Sequence, residues 1–586
     1  MLPDDPLRRV LYIDLGKRKF RVEERSDLFD RWLGGVGAAA QLLQENCPPG
    51  VDPLGPDNPI ILSVGPLVGL YPLASKTVAM FKSPHTGNLG ESHAGGRSAV
   101  ALRMAGYGAL VIKGASQMPI YLSIDGERVY FRDASALWGM RSSYTVGDVL
   151  RNRETRAGER TIMRIGRAGE KLISYACVVT ETYRHFGRLG LGAVFGSKKL
   201  KALAISGRRS LAVADRKTYR AAYDEVFKAA TESTLMKKYH DLGTAMNVLP
   251  LNMVGALPTR NVQSGRFEGA ETISGEHMAE QYLGRRLACA HCPVACIHLA
   301  ALRIPHPKEP FFYKTSMLGY DHELIYALGS MLGIGNPEGM LQLIDEVEVM
   351  GLDAMSTGVA LAWATEALEK GLISTVDTGG LELAWGGWQT YVEAVRKLVA
   401  QSTELYRALG RGVDHAASIY GGEDFALAFG GNEMPGYHTG PAGHLGYLTG
   451  ARHSHLDSAG YSLDQKALAQ GSELTAQGVA QSLLKEEQWR QILASLSVCF
   501  FARGVYTPQV VQKTLATVGL DLSLDDLNRL GAEILAQKQA FKAREGFDLA
   551  QVRIPQRILE TESPLGRIDE AFMRQALAEF ARLSVE

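Results

Sequence analysis

Apolar and polar residues alternate with a period of two through the first third of this chain. Over the remainder, apolar residues recur every three or four positions. Val10-Leu11-Tyr12-Ile13-Asp14-Leu15 and Lys19-Phe20-Arg21-Val22-Glu23 flank a Gly16-Lys17 turn, which is the pattern of a β-hairpin. Residues 119–124 and 128–132 repeat it around Asp125-Gly126, a dipeptide favoured in two-residue hairpin turns. Apolar runs at 60–64, 109–113 and 200–206, each bounded by glycine, predict buried strands. After about residue 212 the helical period predicts helices over 217–242, 337–350, 356–370, 387–401 and 508–538. Ser356 or Thr357 suits the N-cap of the third, and Gly371 its end. A glycine-bearing polar stretch at 419–423 marks a boundary between helical regions. The fold class expected is α+β: a β-rich domain over 1–211, then two mainly α-helical domains over 212–420 and 421–586. No internal repeat or low-complexity tract is visible.

The length, 586 residues, exceeds what one hydrophobic core serves and fits about three domains. The 46% hydrophobic and 22% charged content is that of an ordinary globular protein. Lys plus Arg and Asp plus Glu both number 63, so the basic excess on which nucleic-acid affinity rests is missing. The first residues, MLPDDPLRRV, lack the apolar core of a secretory signal. The longest apolar runs fall far short of a membrane span. A cytoplasmic location is expected.

Six cysteines in this length suit a reducing compartment better than a disulfide framework. Cys289, Cys292 and Cys296 lie in Cys-Ala-His-Cys-Pro-Val-Ala-Cys, and Cys499 stands roughly two hundred residues downstream. Three clustered thiolates and a distant fourth are a ligand set for one [4Fe-4S] cluster, the distant one pinning two regions together. A structural zinc site borrowing His291 or His298 is the alternative, as are plain buried cysteines. Cys47 and Cys177 read as packing or loop residues. Glycine turns at Gly34-Gly35-Val36-Gly37, Gly95-Gly96-Arg97 and Gly187-Arg188-Leu189-Gly190 let backbone N–H groups approach an anion, so they are candidate phosphate or cofactor cradles. None forms a dinucleotide fingerprint or a P-loop.

Together these residues resemble the aldehyde:ferredoxin oxidoreductases, enzymes built on tungsten, sometimes molybdenum, held by two pterins. The resemblance runs through Gly65-Pro66-Leu67, Lys82-Ser83-Pro84, Gly95-Gly96, Ala105-Gly106-Tyr107 and Gly187-Arg188. It continues through Gly192-Ala193-Val194-Phe195-Gly196-Ser197-Lys198, Gly255-Ala256-Leu257-Pro258-Thr259-Arg260-Asn261, the cysteine motif and Gly351-Leu352-Asp353. It implies an N-terminal β saddle that grips the bis-pterin, with two helical domains covering it. The tungsten then sits on cofactor sulfurs, and the four cysteines are left to the cluster.

Carried over by position, the first pterin-binding motif falls on Glu348-Val349-Met350-Gly351-Leu352-Asp353, with Glu348 in place of an aspartate. The second falls on Ala494-Ser495-Leu496-Ser497-Val498-Cys499 and lacks both its aspartate and its glycine. The arginine that contacts the pterins is Lys76, a point charge rather than a bidentate fork. The asparagine that helps hold a bridging magnesium is His93, a poor ligand for that ion. The other protein contribution to magnesium is the carbonyl of His185, before Phe186-Gly187-Arg188. The resemblance implies oxidation of an aldehyde to a carboxylic acid with water as oxygen source. Glu323 matches the catalytic glutamate, and the catalytic histidine lies in Ala451-Arg452-His453-Ser454-His455-Leu456-Asp457. Spacing favours His453, and His455 remains open. Electrons pass to ferredoxin or an iron–sulfur partner subunit in a homo- or hetero-oligomer. Two other readings stand beside this one: the catalytic subunit of a tungsten benzoyl-CoA reductase, and a pterin-free iron–sulfur electron-transfer subunit.

Overall fold

The computed structural model describes every residue except 3, 4, 182, 307, 310, 585 and 586. The chain forms two compact units, each assembled from separated segments. The first comprises Met1–Lys237, Ala288–Val294 and Glu487–Phe547, and the second Lys238–Leu287, Ala295–Glu486 and Asp548–Glu586.

The first unit holds two six-stranded mixed sheets built to one plan. In the first sheet, β1 (Arg9–Asp14) and β2 (Lys19–Glu24) form the expected hairpin. They are followed by β3 (Ile60–Ser63), β4 (Thr77–Lys82), β5 (Leu89–Ala94) and β6 (Ala109–Lys113). In the second, β7 (Ile120–Asp125) and β8 (Arg128–Asp133) form the second hairpin. Then come β9 (Thr161–Ile165), β10 (Val178–Val179), β11 (His185–Phe186) and β12 (Leu200–Ser206). The spatial orders are β2-β1-β6-β3-β4-β5 and β8-β7-β12-β9-β10-β11. In each sheet the last strand returns to lie parallel to the first strand of the hairpin and antiparallel to the third strand. A short helix leads into that last strand in both, Ser98–Ala105 in one and Leu191–Ser197 in the other.

The sequence shows no repeat, but the topology does. Strand patterning and burial suffice to specify this plan, and they tolerate wide change in residue identity. β3, β4, β9 and β12 are buried along their whole length, the charged Lys82, Arg164 and Lys201 among them.

Two predicted helices are interrupted. Residues 217–242 form Arg216–Glu232 and Thr234–Leu242, parted by an extended Ser233. Residues 508–538 form Pro508–Ala516 and Leu524–Arg544. Ser523 and Asp526 build a capping box that starts the second of these, after Gly519 turns at φ +78°.

The second unit carries a three-stranded antiparallel sheet of β13 (Leu283–Leu287), β14 (Ile297–Pro305) and β15 (Tyr313–Tyr320) and a two-residue antiparallel pair of β16 (Ala428–Phe429) and β17 (Asn432–Glu433), and is mainly helical besides. The helix Pro337–Met350 has the expected bounds. The next, Ala354–Glu369, is capped by Asp353 rather than by Ser356 or Thr357. Both of those lie in its first turn, and the Ser356 hydroxyl bonds back to the Asp353 carboxylate. Among the described residues no helix is long and apolar enough to cross a membrane.

Candidate functional site

In the first unit, the two glycine turns that follow β5 and β11 occupy equivalent places in the two sheets, each just before the helix that leads to the last strand. Gly95-Gly96 follows β5. A Cβ on Gly95 would stand 2.9 Å from Cys289 Sγ and 3.2 Å from Lys76 Nζ, so a side chain there would have to displace the thiol. Gly96, at φ +94°, donates its N–H to Cys289 Sγ at 3.1 Å, and its carbonyl accepts from Ala290 N at 2.8 Å. Hydrogen bonds to cluster sulfurs are one of the determinants of a cluster's potential. Gly187-Arg188 follows β11, whose His185 pairs with Val179.

Leu73 ties the cysteine segments together. Its N–H donates to the His291 carbonyl at 3.2 Å, and its carbonyl accepts from Cys499 N at 2.9 Å. Cys289, Cys292 and Cys499 are half-buried in this unit, and Cys296 begins the return into the second. Among the described residues no three His, Cys, Asp or Glu side chains are placed to hold a single metal ion, the arrangement a zinc centre needs.

The degenerate second motif has a local explanation. Ser497 sits at φ +62°, where glycine is the easy residue. Its hydroxyl accepts from Gly65 N at 2.8 Å and its carbonyl from Lys76 N at 3.1 Å. These bonds hold a serine in a conformation it seldom adopts. The Gly351-Leu352-Asp353 motif, in the second unit, joins two helices. Gly351 closes the first at φ +77°, and Asp353 caps the second through Met355 N and Ser356 N, a cap worth about 1 kcal/mol. Glu348 is buried in the last turn of the first helix. Ser356 Oγ lies 2.6 Å from both Asp353 Oδ2 and Glu433 Oε2. Glu433 is fully buried. Nothing in the local sequence pointed to it, because its partner lies 77 residues away.

The second unit also gathers Glu323. This residue lies in the first turn of the helix His322–Leu328, whose N-cap is Asp321. Gly436 clasps that turn from both sides: its N–H donates to Glu323 Oε2 at 3.1 Å, and its carbonyl meets His322 Nε2 at 2.9 Å. A Cβ on Gly436 would stand 2.8 Å from His322 Nε2. The other carboxylate oxygen, Glu323 Oε1, lies 3.3 Å from His455 Nε2. His453 goes elsewhere. It adopts φ +54°, its Nδ1 bonds the Tyr447 carbonyl at 2.8 Å, and its ring packs on Gly430. A capping box of Ser454 and Asp457 starts the helix His455–Ser458 just after it, and Asp457 also holds Arg452. The two histidines therefore point to different partners, and only His455 is paired with Glu323.

Aromatic rings surround the pair. Tyr437 lies 5.2 Å from the His455 ring and 4.8 Å from His322, and it stacks on half-buried Tyr461 at 4.6 Å. Burial first, and then the Glu323 charge, push the Tyr437 hydroxyl far above its ordinary value, so it stays protonated. A cavity of about 710 Å³ opens in the same unit, walled by Gly255, Arg266, Arg557 and Thr561 among others. Neither Glu323 nor either histidine lines it.

Models of the aldehyde ferredoxin oxidoreductase N-terminal domain and of domains 2 and 3 of that enzyme match residues 10–207 and 221–583. The chain belongs to the aldehyde ferredoxin oxidoreductase family. It is similar to the tungsten-containing aldehyde ferredoxin oxidoreductase of Thermococcus kodakarensis, at 32% identity over 574 residues, covering 95% of this chain and 92% of the relative. The enzyme of the same description from Pyrococcus furiosus is 31% identical with the same coverage. A WOR-like subunit of an aliphatic sulfonate oxidoreductase from Pyrococcus furiosus is 29% identical over 426 residues, covering 70% of this chain and 66% of that one. Among solved structures, the active-site complex BamBC of benzoyl-coenzyme A reductase shares the fold, with a TM-score of 0.82 at 21% identity over 98% of this chain and 94% of that one.

As a member of the aldehyde ferredoxin oxidoreductase family this chain is an oxidoreductase, and the tungsten pterin its relatives imply suits the first unit. A glycine crowded by Cys289 at Gly95, the Lys76 ammonium beside it and an equivalent turn at Gly187-Arg188 offer close backbone approach and positive charge.

The second unit also carries an acid-sensitive signature. Burial lowers His322 and His438 to about 4. Between the unfolded value near 6.5 and that folded value, the unfolded chain binds protons that the folded chain does not. Stability is therefore lost as pH falls through this window, by on the order of 3 kcal/mol per histidine. The denaturation midpoint should fall between pH 7 and pH 5, and less steeply in His322→Gln, which keeps a donor to Gly436. An equal slope in that variant would remove His322 from the account.

Proposed function

We propose that this chain oxidises an aldehyde to a carboxylic acid with water, with Glu323 and His455 as the proton-handling pair. When bound, the tungsten pterin accepts the two electrons of the oxidation. The overall balance is R–CHO plus water giving R–COOH, two protons and two electrons. The Glu323 carboxylate takes a proton from water as the new C–O bond forms, and His455 shares that proton through Nε2. The Gly436 N–H and the His322 clasp hold the carboxylate in one orientation, which general-base catalysis requires. The observation that carries this reading is the 3.3 Å approach of His455 Nε2 to Glu323 Oε1 beside the Gly436 donor.

Two equivalent glycine turns suit a pair of pterins, one turn to each. Cys289, Cys292, Cys296 and Cys499 hold one [4Fe-4S] cluster, which relays single electrons to ferredoxin or to an electron-transfer subunit in a soluble cytoplasmic assembly. By the family resemblance Lys76, Gly95, Gly96, Gly187 and Arg188 are pterin-binding residues, and Glu348 and Asp353 carry the same assignment.

Anaerobic purification, elemental analysis and aldehyde-dependent dye reduction test the proposal. Iron with near-stoichiometric tungsten or molybdenum and turnover of an aldehyde panel is the expected result. Iron without either metal would instead support an electron-transfer subunit, and metal-loaded protein that reduces an aromatic acyl-CoA but oxidises no aldehyde would support a benzoyl-CoA-reductase type. The two histidines separate cleanly. His455→Asn should lower turnover about a hundredfold, as loss of an acid–base partner does, with little change in melting. His453→Asn should cost roughly 1–3 kcal/mol of stability, as loss of a buried hydrogen bond does, while folded protein retains turnover. The reverse pattern would exchange their roles.

A further inference from the structure

The family resemblance expects a bridging magnesium at His93 and the His185 carbonyl, and the residues present do not fit it. Glu91 and His93 lie two apart on β5, so their side chains share a face. His93 Nε2 is 2.8 Å from Glu91 Oε1, and because a carboxylate oxygen only accepts, the imidazole donates. The other oxygen, Glu91 Oε2, is 2.7 Å from the Lys538 ammonium, and both of these side chains are 1% exposed. Lys538 also donates to Gln491 Oε1 at 2.9 Å. The ring of His93 packs against Phe500, next in sequence to Cys499. All of these residues belong to the first unit.

Both oxygens of Glu91 are thus committed, one to an imidazole and one to a buried cation. Magnesium requires near-octahedral hard-oxygen coordination and takes imidazole poorly. The nearest carboxylate already has its counter-charge, and a divalent ion entering here would meet the Lys538 ammonium at low dielectric. Lys76 Nζ, beside Gly95 in the same unit, supplies a further positive charge.

We propose that in this chain the Lys538–Glu91–His93 triad closes the magnesium site, so that the phosphate groups of the pterin cofactor bind without a divalent cation, against Lys76 and the backbone N–H groups of the glycine turns. This rests on the pterin reading of the first unit. It is tested by metal content rather than by turnover. Protein purified anaerobically and dialysed against EDTA should contain tungsten or molybdenum with magnesium only at background level, and magnesium stoichiometric with the heavy metal would overturn the proposal. Titration with Mn²⁺, read by its paramagnetic resonance, should find no tight site in the wild type. In His93→Asn combined with Lys538→Gln, an oxygen ligand is offered and the buried cation removed, so one tight Mn²⁺ site should appear.

A tight Mn²⁺ site in the wild type that His93→Asn leaves unchanged would also overturn the proposal. Should the double variant fail to fold, His93→Asn alone and the wild-type stoichiometry still decide. Protein that carries neither tungsten nor molybdenum would sink the cofactor reading, while the Mn²⁺ titration would still judge the triad.

Discussion

Cys292→Ala is expected to leave the first unit folded but without its iron. The thiol-bearing segments are already joined by backbone hydrogen bonds that no metal supplies. Leu73 bonds His291 on one side and Cys499 on the other, Ala74 bridges Val498, and Cys292 N donates to the Cys289 carbonyl at 3.1 Å. Each such bond contributes about 1 kcal/mol net, so the segments stay together when one thiolate is lost. The proposed cluster has no comparable reserve, because its four thiolates are shared one to each iron. Iron should therefore fall from about four per chain to below one, and the visible absorbance should disappear. Far-UV circular dichroism should be retained, and the melting temperature should drop, since ligands that tie distant segments contribute folding free energy. Full iron content in this variant would sink the cluster assignment; loss of secondary structure with the iron would show that Leu73 and its bonds are too weak to stand alone.

Residue patterning reported the elements better than it reported their assembly. Hairpins and buried strands were legible because a period of two and glycine-bounded apolar runs have few other uses. The doubling of the six-stranded plan was not, because topology depends on which strands pair, and pairing leaves no mark on local sequence. That residues 487–547 join the first unit was hidden for the same reason, although the isolated Cys499 hinted that a distant segment returns to the cysteine motif.

At the site, the family resemblance singled out Glu323 and a pair of histidines. Telling which of His453 and His455 lies beside Glu323 needed backbone conformation, because one positive φ at His453 sends the two rings to different partners. Gly436, Tyr437 and Glu433 escaped notice because single glycines, tyrosines and glutamates carry no pattern of their own. Gly436 had a signal only in retrospect, standing where a Cβ would strike the His322 ring. The altered second pterin motif was legible as a departure, and its compensation by the bond from Gly65 N–H to the Ser497 hydroxyl was not.

Glu323→Gln should retain both the iron and the heavy metal and lose turnover by a factor of about 10² to 10⁴, the range that a general base is worth. That corresponds to roughly 3–5 kcal/mol of barrier. The amide is nearly isosteric. Its carbonyl oxygen still accepts from Gly436 N–H, and its position at the start of the helix His322–Leu328 is unchanged. What it cannot do is take a proton from water, so the loss should fall on kcat with KM moved little. Glu323→Asp is the sharper companion. It keeps the proton-accepting group but shortens the arm, and the carboxylate then cannot span both Gly436 N and His455 Nε2, which the glutamate meets at 3.1 and 3.3 Å. If orientation matters as much as basicity, Glu323→Asp should also be slow, because a misplacement of about 1 Å can cost on the order of a hundredfold. Near-normal turnover in Glu323→Gln would remove this residue from the chemistry and leave the Gly436 clasp as a structural feature. A slow glutamine variant beside a fast aspartate variant would keep the base and discard the orienting role given to Gly436 and His322.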